Sequence, residues 1–334
     1  MVKNLYSEAA EFRNIHLKKA SHDHFMLNQL HDEVVKQVLN ISIKQVSIRF
    51  GHPPSPFCFF VMGSVGRLEQ SVWSDQDHGI IYHEQNDDVK SYFLALGKEI
   101  SKGLFHAGYP YCDGGVMASN PFWCKSMTEW QLQITNWLNE SSWESTRYLL
   151  IFLDGRSVYG ESEYVEKLKK HLYQTANKQQ LLTKSLSNTL YLKKGLNVLG
   201  KLLTETHGTH SGSLNIKELG LFPYVNALRL LSIKERMLET STLLRFEKIP
   251  DNRFPGGDKE LFQQQFLKLL NYRLLFADHT DYDSGHYLIV NLLTKEQTKD
   301  VKEIVKNGSA LFQSVRRFLE KDNFNGDDCD DAIF

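Results

Sequence analysis

The most constraining feature of the sequence is a glycine-containing turn that directly follows a short apolar run. The run Phe57–Met62 is bounded by turn residues, which predicts a buried strand. Gly63 and Gly66 follow it, and glycine allows another group to approach the backbone closely. Because a turn from strand to helix exposes backbone amide donors in a positive potential, this segment is predicted to bind phosphate.

Two aspartates follow this turn. Asp75 and Asp77 stand at the start of a second predicted strand, whose apolar run is Gly79–Tyr82. Strand side chains alternate with a period of two, so both carboxylates project from the same face. Adjacent carboxylates repel each other unless a cation lies between them, and Mg²⁺ is commonly bound by one or two carboxylates together with substrate phosphates. The pair therefore predicts a Mg²⁺ site.

Apolar periodicity predicts the remaining elements. The first 50 residues and residues 88–106 have apolar side chains at spacings of three and four, which predicts helices. The runs Tyr109–Met117 and Leu149–Leu153 predict two further strands. From about Glu161 onward leucines recur at largely helical spacing, continuing to Leu203 and again in three later segments. The sequence thus predicts a domain of strands and helices followed by a helical bundle.

Charge, cysteine content and apolar run length exclude several classes of protein. Lys and Arg number 39 against 40 for Asp and Glu, whereas proteins that bind a nucleic-acid backbone usually carry a basic excess. The four cysteines contain no CxxC pair, which favours reduced thiols. No run reaches the roughly 18 apolar residues of a membrane span, and the N-terminus lacks a signal-peptide core. We expect a soluble cytoplasmic protein with no nucleic-acid or membrane partner.

The segment from Gly63 to Asp77 resembles the signature of the DNA-polymerase-β-like nucleotidyltransferase superfamily, in which Gly-Ser is followed at a distance by Asp-x-Asp. It is more closely similar to bacterial DUF294-type nucleotidyltransferases, which are related to the N-terminal domain of PII-protein uridylyltransferase. Their pattern Gly-Ser-x-Gly-Arg-x-Glu-Gln…Asp-Gln-Asp is matched by residues 63–70 and 75–77. Further matches are Gly108–Pro110, Gly115–Ala118, Asn120–Trp123, Trp130, Phe152–Gly160, Ile216–Leu221 and Leu228–Leu231.

The resemblance implies an α+β fold in which a polymerase-β-like domain with a short mixed sheet precedes an all-helical C-terminal bundle. The length of 334 residues is compatible with two domains. We expect the nucleotidyltransferase-like domain, with a helical N-terminal extension, to span residues 1–165. The helical, acceptor-binding domain is expected at 166–321 and an acidic flexible tail at 322–334.

The resemblance also implies roles for individual residues. Asp75 and Asp77 would hold the Mg²⁺ ion that bridges the β- and γ-phosphates of a nucleoside triphosphate. Arg67 would clamp a phosphate, since guanidinium matches phosphate oxygens bidentately, or would instead pair with a carboxylate such as Glu69. The residues expected to bind the nucleotide are Gly63, Ser64, Gly66 and Arg67.

A third carboxylate is common in the superfamily, and two residues are candidates for it. Asp154 follows the run Leu149–Leu153 and is the first choice, which makes it the third expected catalytic residue beside Asp75 and Asp77. Asp113 is the alternative. Asp154 is equally compatible with a structural role, as a helix cap or as the partner of Arg156.

The implied reaction is Mg²⁺-dependent transfer of a nucleoside monophosphate to a hydroxyl group. The acceptor would be a protein side chain, as in the uridylyltransferase, or a small molecule. One alternative is a non-catalytic sensor that binds the nucleotide and Mg²⁺ in the same pocket. Another is a helical adaptor that retains a relic of the transferase domain. Elsewhere, His207 and His210 have a spacing found in metal sites, but they lie in a Gly/Ser-rich segment that predicts a loop.

Overall fold

The computed structural model describes residues 5–190, 193–255 and 257–325. The chain forms two compact units, each assembled from separate stretches of sequence. Unit 1 consists of Met1–Glu140, Ile151–Thr175 and His279–Gly285, and unit 2 consists of Ser141–Leu150, Ala176–Asp278 and His286–Phe334. The expected domain bounds at 1–165 and 166–321 stay predictions. Of the expected acidic tail, residues 326–334 lie outside the described residues.

Helices make up most of the described chain. They are α1 (Ser7–Ala20), α2 (His24–Phe50), the single turn α3 (Gly63–Gly66), α4 (Asp87–His106), α5 (Met127–Glu140), α6 (Trp143–Leu153), α7 (Glu163–Thr175), α8 (Lys178–Thr189), α9 (Phe222–Lys234), α10 (Thr242–Lys248), α11 (Lys259–Phe276) and α12 (Lys295–Asn325). The strands are β1 (Phe57–Val61), β2 (His78–Tyr82), β3 (Cys124–Ser126), β4 (Arg156–Gly160), β5 (Ser213–Asn215) and β6 (Tyr287–Ile289).

A four-stranded mixed sheet forms the centre of unit 1, in the order β3-β2-β1-β4. β1 is antiparallel to β2 and β4, and β2 is parallel to β3. Every residue of β1 and β2 is buried, which explains why Phe57–Val61 and Gly79–Tyr82 are apolar runs. The two strands predicted from Phe57–Met62 and Gly79–Tyr82 are confirmed. The predicted glycine turn and aspartate pair lie in the loop that joins these two strands.

Helices α1, α2 and α4 pack together in unit 1. The apolar face predicted within the first 50 residues lies on α2, where Leu27, Val34 and Val38 are fully buried. α2 begins after Asp23, whose side chain accepts a hydrogen bond from the amide of Met26. The predicted helix at 88–106 is confirmed as α4.

Two of the predicted strands are wrong. Leu149–Leu153 is the last part of α6, because Ser142 starts a helix there by accepting a hydrogen bond from the Ser145 amide at 3.0 Å. The strand beside β1 comes just afterwards, as β4. Tyr109–Met117 forms turns instead of a strand, because it contains a proline and two consecutive glycines, which weaken strands.

Unit 2 is helical, with one short antiparallel ribbon formed by β5 and β6. The helical spacing predicted as far as Leu203 ends earlier, since α8 stops at Thr189. Residues 193–212, the unit 2 loop, form turns, and Leu199 is 78% exposed instead of lying on a packed helix face. The predicted α+β class, with a small mixed sheet and a helical C-terminal region, is confirmed. Among the described helices, none combines the length and apolar character needed to cross a membrane.

Candidate functional site

The site loop, residues 62–77, connects the central strand β1 to its neighbour β2. Its first residues turn sharply at Gly63, which has a φ of +57° that side chains disfavour. A Cβ atom at this position would overlap Oδ2 of Asp77, so only glycine leaves room for that carboxylate. The amide of Met62 also donates to the carbonyl of Asp77 at 2.8 Å. The structure therefore places Gly63 directly against Asp77.

The buried side chain of Gln76 holds in place the backbone between the two aspartates. Burial alternates along this segment: Gln76 is buried, whereas Asp75 and Asp77 are half-buried, so the Gln76 side chain faces into the protein. Its Nε2 donates to the carbonyls of Ser101 at 3.1 Å and Tyr109 at 2.9 Å. Because Gln76 is only 3% exposed, these bonds hold the two carboxylates on the outer side of the segment.

His78 completes this anchor. Its Nδ1 accepts a hydrogen bond from the amide of Ala118 at 3.1 Å, and Nε2 lies 3.1 Å from Oε1 of Gln76. Burial lowers the pKa of His78 to about 3, so its ring is neutral, as an accepting Nδ1 requires. The neutral ring then donates from Nε2 to Gln76. The role of His78 is to hold Gln76 in position.

Three potential metal ligands come together at the outer side of the site loop. Among the described residues, one side-chain oxygen of Asp75, one of Asp77 and the sulfur of Cys112 all lie within 4.8 Å of one another. All three side chains are half-buried, so solvent and ligands reach them. Burial and the adjacent Asp77 carboxylate raise the pKa of the Cys112 thiol to about 12. This donor set has the composition of a divalent-cation site.

Cys112 was not among the predicted site residues. The segment Cys112–Gly115 attracts attention in the sequence only because it contains Asp113, the alternative third carboxylate. Asp113 is exposed and is not part of the group of three ligands. The glycines beside it form the turn, in which the amide of Gly115 donates to the carbonyl of Cys112 at 2.9 Å. This turn presents the thiol to the aspartates.

Arg67 forms ion pairs with two carboxylates inside unit 1. Its Nε lies 2.7 Å from Glu69, and its Nη1 lies 2.7 Å from Asp154, with all three side chains buried. Burial alone would lower the pKa of Arg67, but the two carboxylates outweigh it and raise that pKa. The expected alternative, in which Arg67 pairs with Glu69, is what the structure has. Arg156 pairs with Asp32 at 2.6 Å, so it is not the partner of Asp154.

Gly66 lies at a second point of close approach. A Cβ atom there would overlap the carbonyl oxygen of Asp154, so the turn α3 packs directly on the backbone that leads into β4. Gly66 is buried, whereas Gly63 and Ser64 are half-buried and reachable from solvent. The four residues predicted to bind nucleotide therefore divide into an accessible pair, Gly63 and Ser64, and a buried pair, Gly66 and Arg67.

The two N-terminal helices hold the backbone of the site loop in place. Polar side chains of α1 and α2 hydrogen-bond to backbone groups of three successive loop residues. The contacts are Asn28 Oδ1 with the amide of Gln70 (3.1 Å), His31 Nε2 with the carbonyl of Ser71 (3.0 Å) and Arg13 Nη2 with the carbonyl of Val72 (2.8 Å). Each bond joins residues far apart in sequence, so local patterns give no signal for it.

A glycine turn set against two carboxylates, on a small mixed sheet followed by a helical region, is the arrangement of a nucleotidyltransferase-type protein. Two family models match the chain, "Putative nucleotidyltransferase DUF294" over residues 11–144 and "Putative nucleotidyltransferase substrate binding domain" over residues 179–318. The chain belongs to the DUF294 family, which confirms the resemblance seen in its sequence. No curated protein matches it.

Proposed function

We propose that this protein transfers a nucleoside monophosphate from a nucleoside triphosphate to a hydroxyl group, in a Mg²⁺-dependent reaction. The observation that carries the proposal is the placement of Gly63 against Asp77, with Asp75 on the same side of the segment. Because position 63 has no side chain, the Asp77 carboxylate lies directly against the start of the turn, so a cation held by the aspartates would lie next to phosphates bound there. Membership of the DUF294 family supports the same reaction class.

The residues at the site fit a divalent cation. Asp75 and Asp77 would hold Mg²⁺, since carboxylate oxygens are the hard ligands that suit that ion and the two half-buried groups lie close together. Bound there, Mg²⁺ would neutralise charge on the triphosphate and polarise the phosphate that reacts. Gln76 keeps both carboxylates on the outer side, so little reorganisation is needed when the nucleotide binds.

The triphosphate would lie along the start of the turn. Gly63 and Ser64 are the accessible residues there, so we assign the phosphate contacts to them. Arg67 is held by Glu69 and Asp154, and a phosphate clamp would require breaking both contacts. We therefore assign Arg67, together with Gly66, to shaping the turn.

In the proposed reaction, the acceptor hydroxyl oxygen attacks the α-phosphorus as the bond to the bridging oxygen breaks and pyrophosphate leaves. The hydroxyl proton passes to a base, for which Asp154 is the predicted residue. Asp154 is fully buried and bonded to Arg67. This observation favours a second candidate function, a sensor that binds nucleotide and Mg²⁺ in the same site without turnover.

The acceptor is proposed to bind to the helical region, because residues 179–318 match the substrate binding domain of the family. A hydroxyl of a protein, as in a uridylyltransferase-like reaction, and a small molecule are both compatible with this region. The net charge of −1 disfavours a polynucleotide, because long nucleic acids are usually held by a basic surface. We place the reaction in the cytoplasm.

Calorimetric titration with nucleoside triphosphates, with and without Mg²⁺, tests the proposal. Wild-type protein should bind in a Mg²⁺-dependent manner, and Asp77→Asn should lose that dependence because one of two charged ligands is removed. Asp113→Asn is the matched control, since this aspartate is exposed and lies outside the ligand group. Absence of Mg²⁺-dependent binding in the wild type would contradict both the enzyme and the sensor.

Release of pyrophosphate distinguishes the enzyme from the sensor. Wild-type protein is incubated with radiolabelled nucleoside triphosphate, Mg²⁺ and a cell extract as the source of acceptors. Transfer predicts pyrophosphate together with label on an acceptor, and both are lost in Asp77→Asn. Nucleotide binding without either product supports the sensor.

A further inference from the structure

We propose that Cys112 is a third protein ligand of the cation held by Asp75 and Asp77, and that it makes the site prefer a thiophilic divalent cation of the Zn²⁺ class over Mg²⁺. This inference rests on the proposed function for the presence of a cation and goes beyond it by naming the class of ion. Mg²⁺ would use the two carboxylates alone. An ion with affinity for sulfur would gain one further bond.

The geometry of the three side chains suits a single ion. Zn²⁺ binds sulfur at about 2.3 Å and carboxylate oxygen at about 2.0–2.2 Å, so two ligand atoms on one ion lie at most about 4.5 Å apart. The atoms of Asp75, Asp77 and Cys112 all fall within 4.8 Å of one another. In a tetrahedral Zn²⁺ site these bond lengths put the ligand atoms roughly 3.4–3.6 Å apart, so side-chain movements of about 1 Å would close the set around an ion. All three side chains are half-buried, so an ion can reach them from solvent.

The surroundings of Cys112 direct its thiol toward the aspartates. The thiol lies close enough to hydrogen-bond with the Asp77 carboxylate and with the backbone of Val116. When the sulfur–metal bond forms, the S–H bond breaks and the proton is released to solvent. A divalent cation then compensates for the negative charge of the two carboxylates and the thiolate.

Gln70 provides a separate indication of a polar guest beside the two aspartates. Its side chain is 3% exposed, and within the described residues its Oε1 has no hydrogen-bond partner. Gln70 lines a cavity of about 20 Å³ that also borders Asp75 and Asp77, with room for one water molecule. A buried acceptor without a donor is energetically unfavourable. A water molecule in this cavity, which borders the two aspartates but not Cys112, would supply that donor.

The other described cysteines do not share this environment. Cys58 lies buried on β1, where its thiol bonds to Ser157 at 3.3 Å, and Cys124 is buried on β3. Neither belongs to the group of ligands found among the described residues. The preference of thiolate for Zn²⁺-class ions, and of Mg²⁺ for oxygen alone, therefore makes Cys112 the residue that selects the ion.

Titration of the reduced full-length chain with Co²⁺, a spectroscopic substitute for Zn²⁺, tests the inference directly. A Co²⁺–thiolate bond gives a charge-transfer absorption in the near ultraviolet, which carboxylates do not produce. Wild-type protein should show this band at one equivalent of Co²⁺, and Cys112→Ser should lose it. Cys124→Ser is the matched control and should keep it, with Cys58→Ser as a second control if that variant does not fold.

Competition titrations with Cd²⁺ and Mg²⁺ give the size of the effect. Cys112→Ser should lower the affinity for Cd²⁺ by about 10–100-fold or more, while the affinity for Mg²⁺ stays close to that of the wild type. Far-ultraviolet circular dichroism and thermal unfolding of each variant verify that the fold is retained.

The outcomes separate this inference from the proposed function. If the wild type binds Mg²⁺ through Asp77 but its Co²⁺ complex lacks the band, the role of Cys112 is overturned and the nucleotidyltransferase site stands. A band that persists in Cys112→Ser also overturns it. If the wild type binds no divalent cation, with or without nucleotide, both proposals fail.

Discussion

Two glycine-containing loops of this protein, one in each unit, place their glycines in different environments. In the site loop, Gly63 and Gly66 leave no space for a Cβ atom, because a carboxylate and a carbonyl occupy it. In the unit 2 loop, Gly200, Gly208 and Gly212 have positive φ values and nothing within 4 Å of the position of a Cβ atom. Glycine serves close approach at the two positions in the first loop and chain reversal alone at these three positions in the second.

The polar residues of the two loops differ in the same way. Asp75 and Asp77 converge with a thiol, while His207 is exposed and His210 stacks on Tyr287 with ring centroids 3.9 Å apart. Neither histidine belongs to a group of three potential metal ligands in the part of the chain that the structure describes. A pair of possible ligands in a glycine-rich segment therefore indicates a site only when a buried scaffold fixes it. The following predictions test this difference, in order of their expected effect on the free energy of unfolding.

Removal of the buried charge at Arg67 should have the largest effect. Arg67→Met leaves Glu69 and Asp154 as buried carboxylates without their cation, which should lower the free energy of unfolding by about 3–5 kcal/mol. Equilibrium unfolding in urea measures the change, and Arg147→Met, at an exposed position on α6, is the control. A variant of wild-type stability that no longer binds nucleotide would instead show that Arg67 contacts phosphate.

Lowering the pH should lower the free energy of unfolding because of His31, whose ring hydrogen-bonds to the backbone of Ser71 in the site loop. Burial, with a contribution from nearby Arg13, lowers the pKa of His31 to about 3. Below about pH 6.5 the unfolded chain takes up a proton that the folded chain does not, so stability falls as pH falls. The contribution is about 1.4 kcal/mol per pH unit, or about 2 kcal/mol at pH 5.

Urea unfolding of wild-type protein and His31→Gln at pH 5, 6 and 7 isolates that contribution. The variant should be less stable at pH 7 and should have a shallower pH dependence, the difference in slope being due to His31 alone. The same substitution at exposed His16 should leave the slope of the wild type. Equal slopes for wild type and His31→Gln would contradict the prediction.

Substitution of one glycine in each loop compares the two loops directly. Gly63→Ala and Gly208→Ala both place a side chain at positive φ, which should lower the free energy of unfolding by about 1–2 kcal/mol each. Only Gly63→Ala also displaces the Asp77 carboxylate, so only this variant should lose Mg²⁺-dependent nucleotide binding. Calorimetric titration of both variants gives the answer, and unchanged binding in Gly63→Ala would remove the main support for the proposed site.

The smallest effect is expected at His207. Its side chain is exposed in the unit 2 loop, so His207→Ala should change the free energy of unfolding by no more than about 0.5 kcal/mol. Thermal unfolding with and without Zn²⁺ should be the same for the variant and the wild type. If Zn²⁺ stabilises the wild type but not the variant, this loop contains a metal site, and the proposed difference between the site loop and the unit 2 loop is wrong.

The sequence predicts the parts of the site that are close together along the chain. β1, the glycine turn and the aspartate pair fall within about twenty residues, and their spacing follows from strand and turn geometry alone. Cys112 and the anchors on α1 and α2 reach the same place only through tertiary packing, so no local pattern reveals them. The position of Arg67 was predictable, but its choice of partner depends on Asp154, which is distant in sequence.

The strand wrongly predicted at Leu149–Leu153 shows a different limit. A run of five apolar residues is compatible with either a buried strand or the buried end of a helix, because periodicity cannot separate them at that length. The deciding residue is Ser142, which starts α6 well before the run. In the unit 2 loop the error is of another kind: leucines at helical spacing predict a helix, but residues 193–212 form none.

The polar bonds from α1 and α2 to the site loop determine how this chain can be divided for experiments. A fragment beginning at β1 would contain every motif residue, yet it would lack Arg13, Asn28 and His31, which fix the path of residues 70–72. Such a fragment would be a poor reagent for binding assays or crystallisation. Expression plasmids for unit 1 should start upstream of Ser7, and a negative binding result from anything shorter would say nothing about the intact protein.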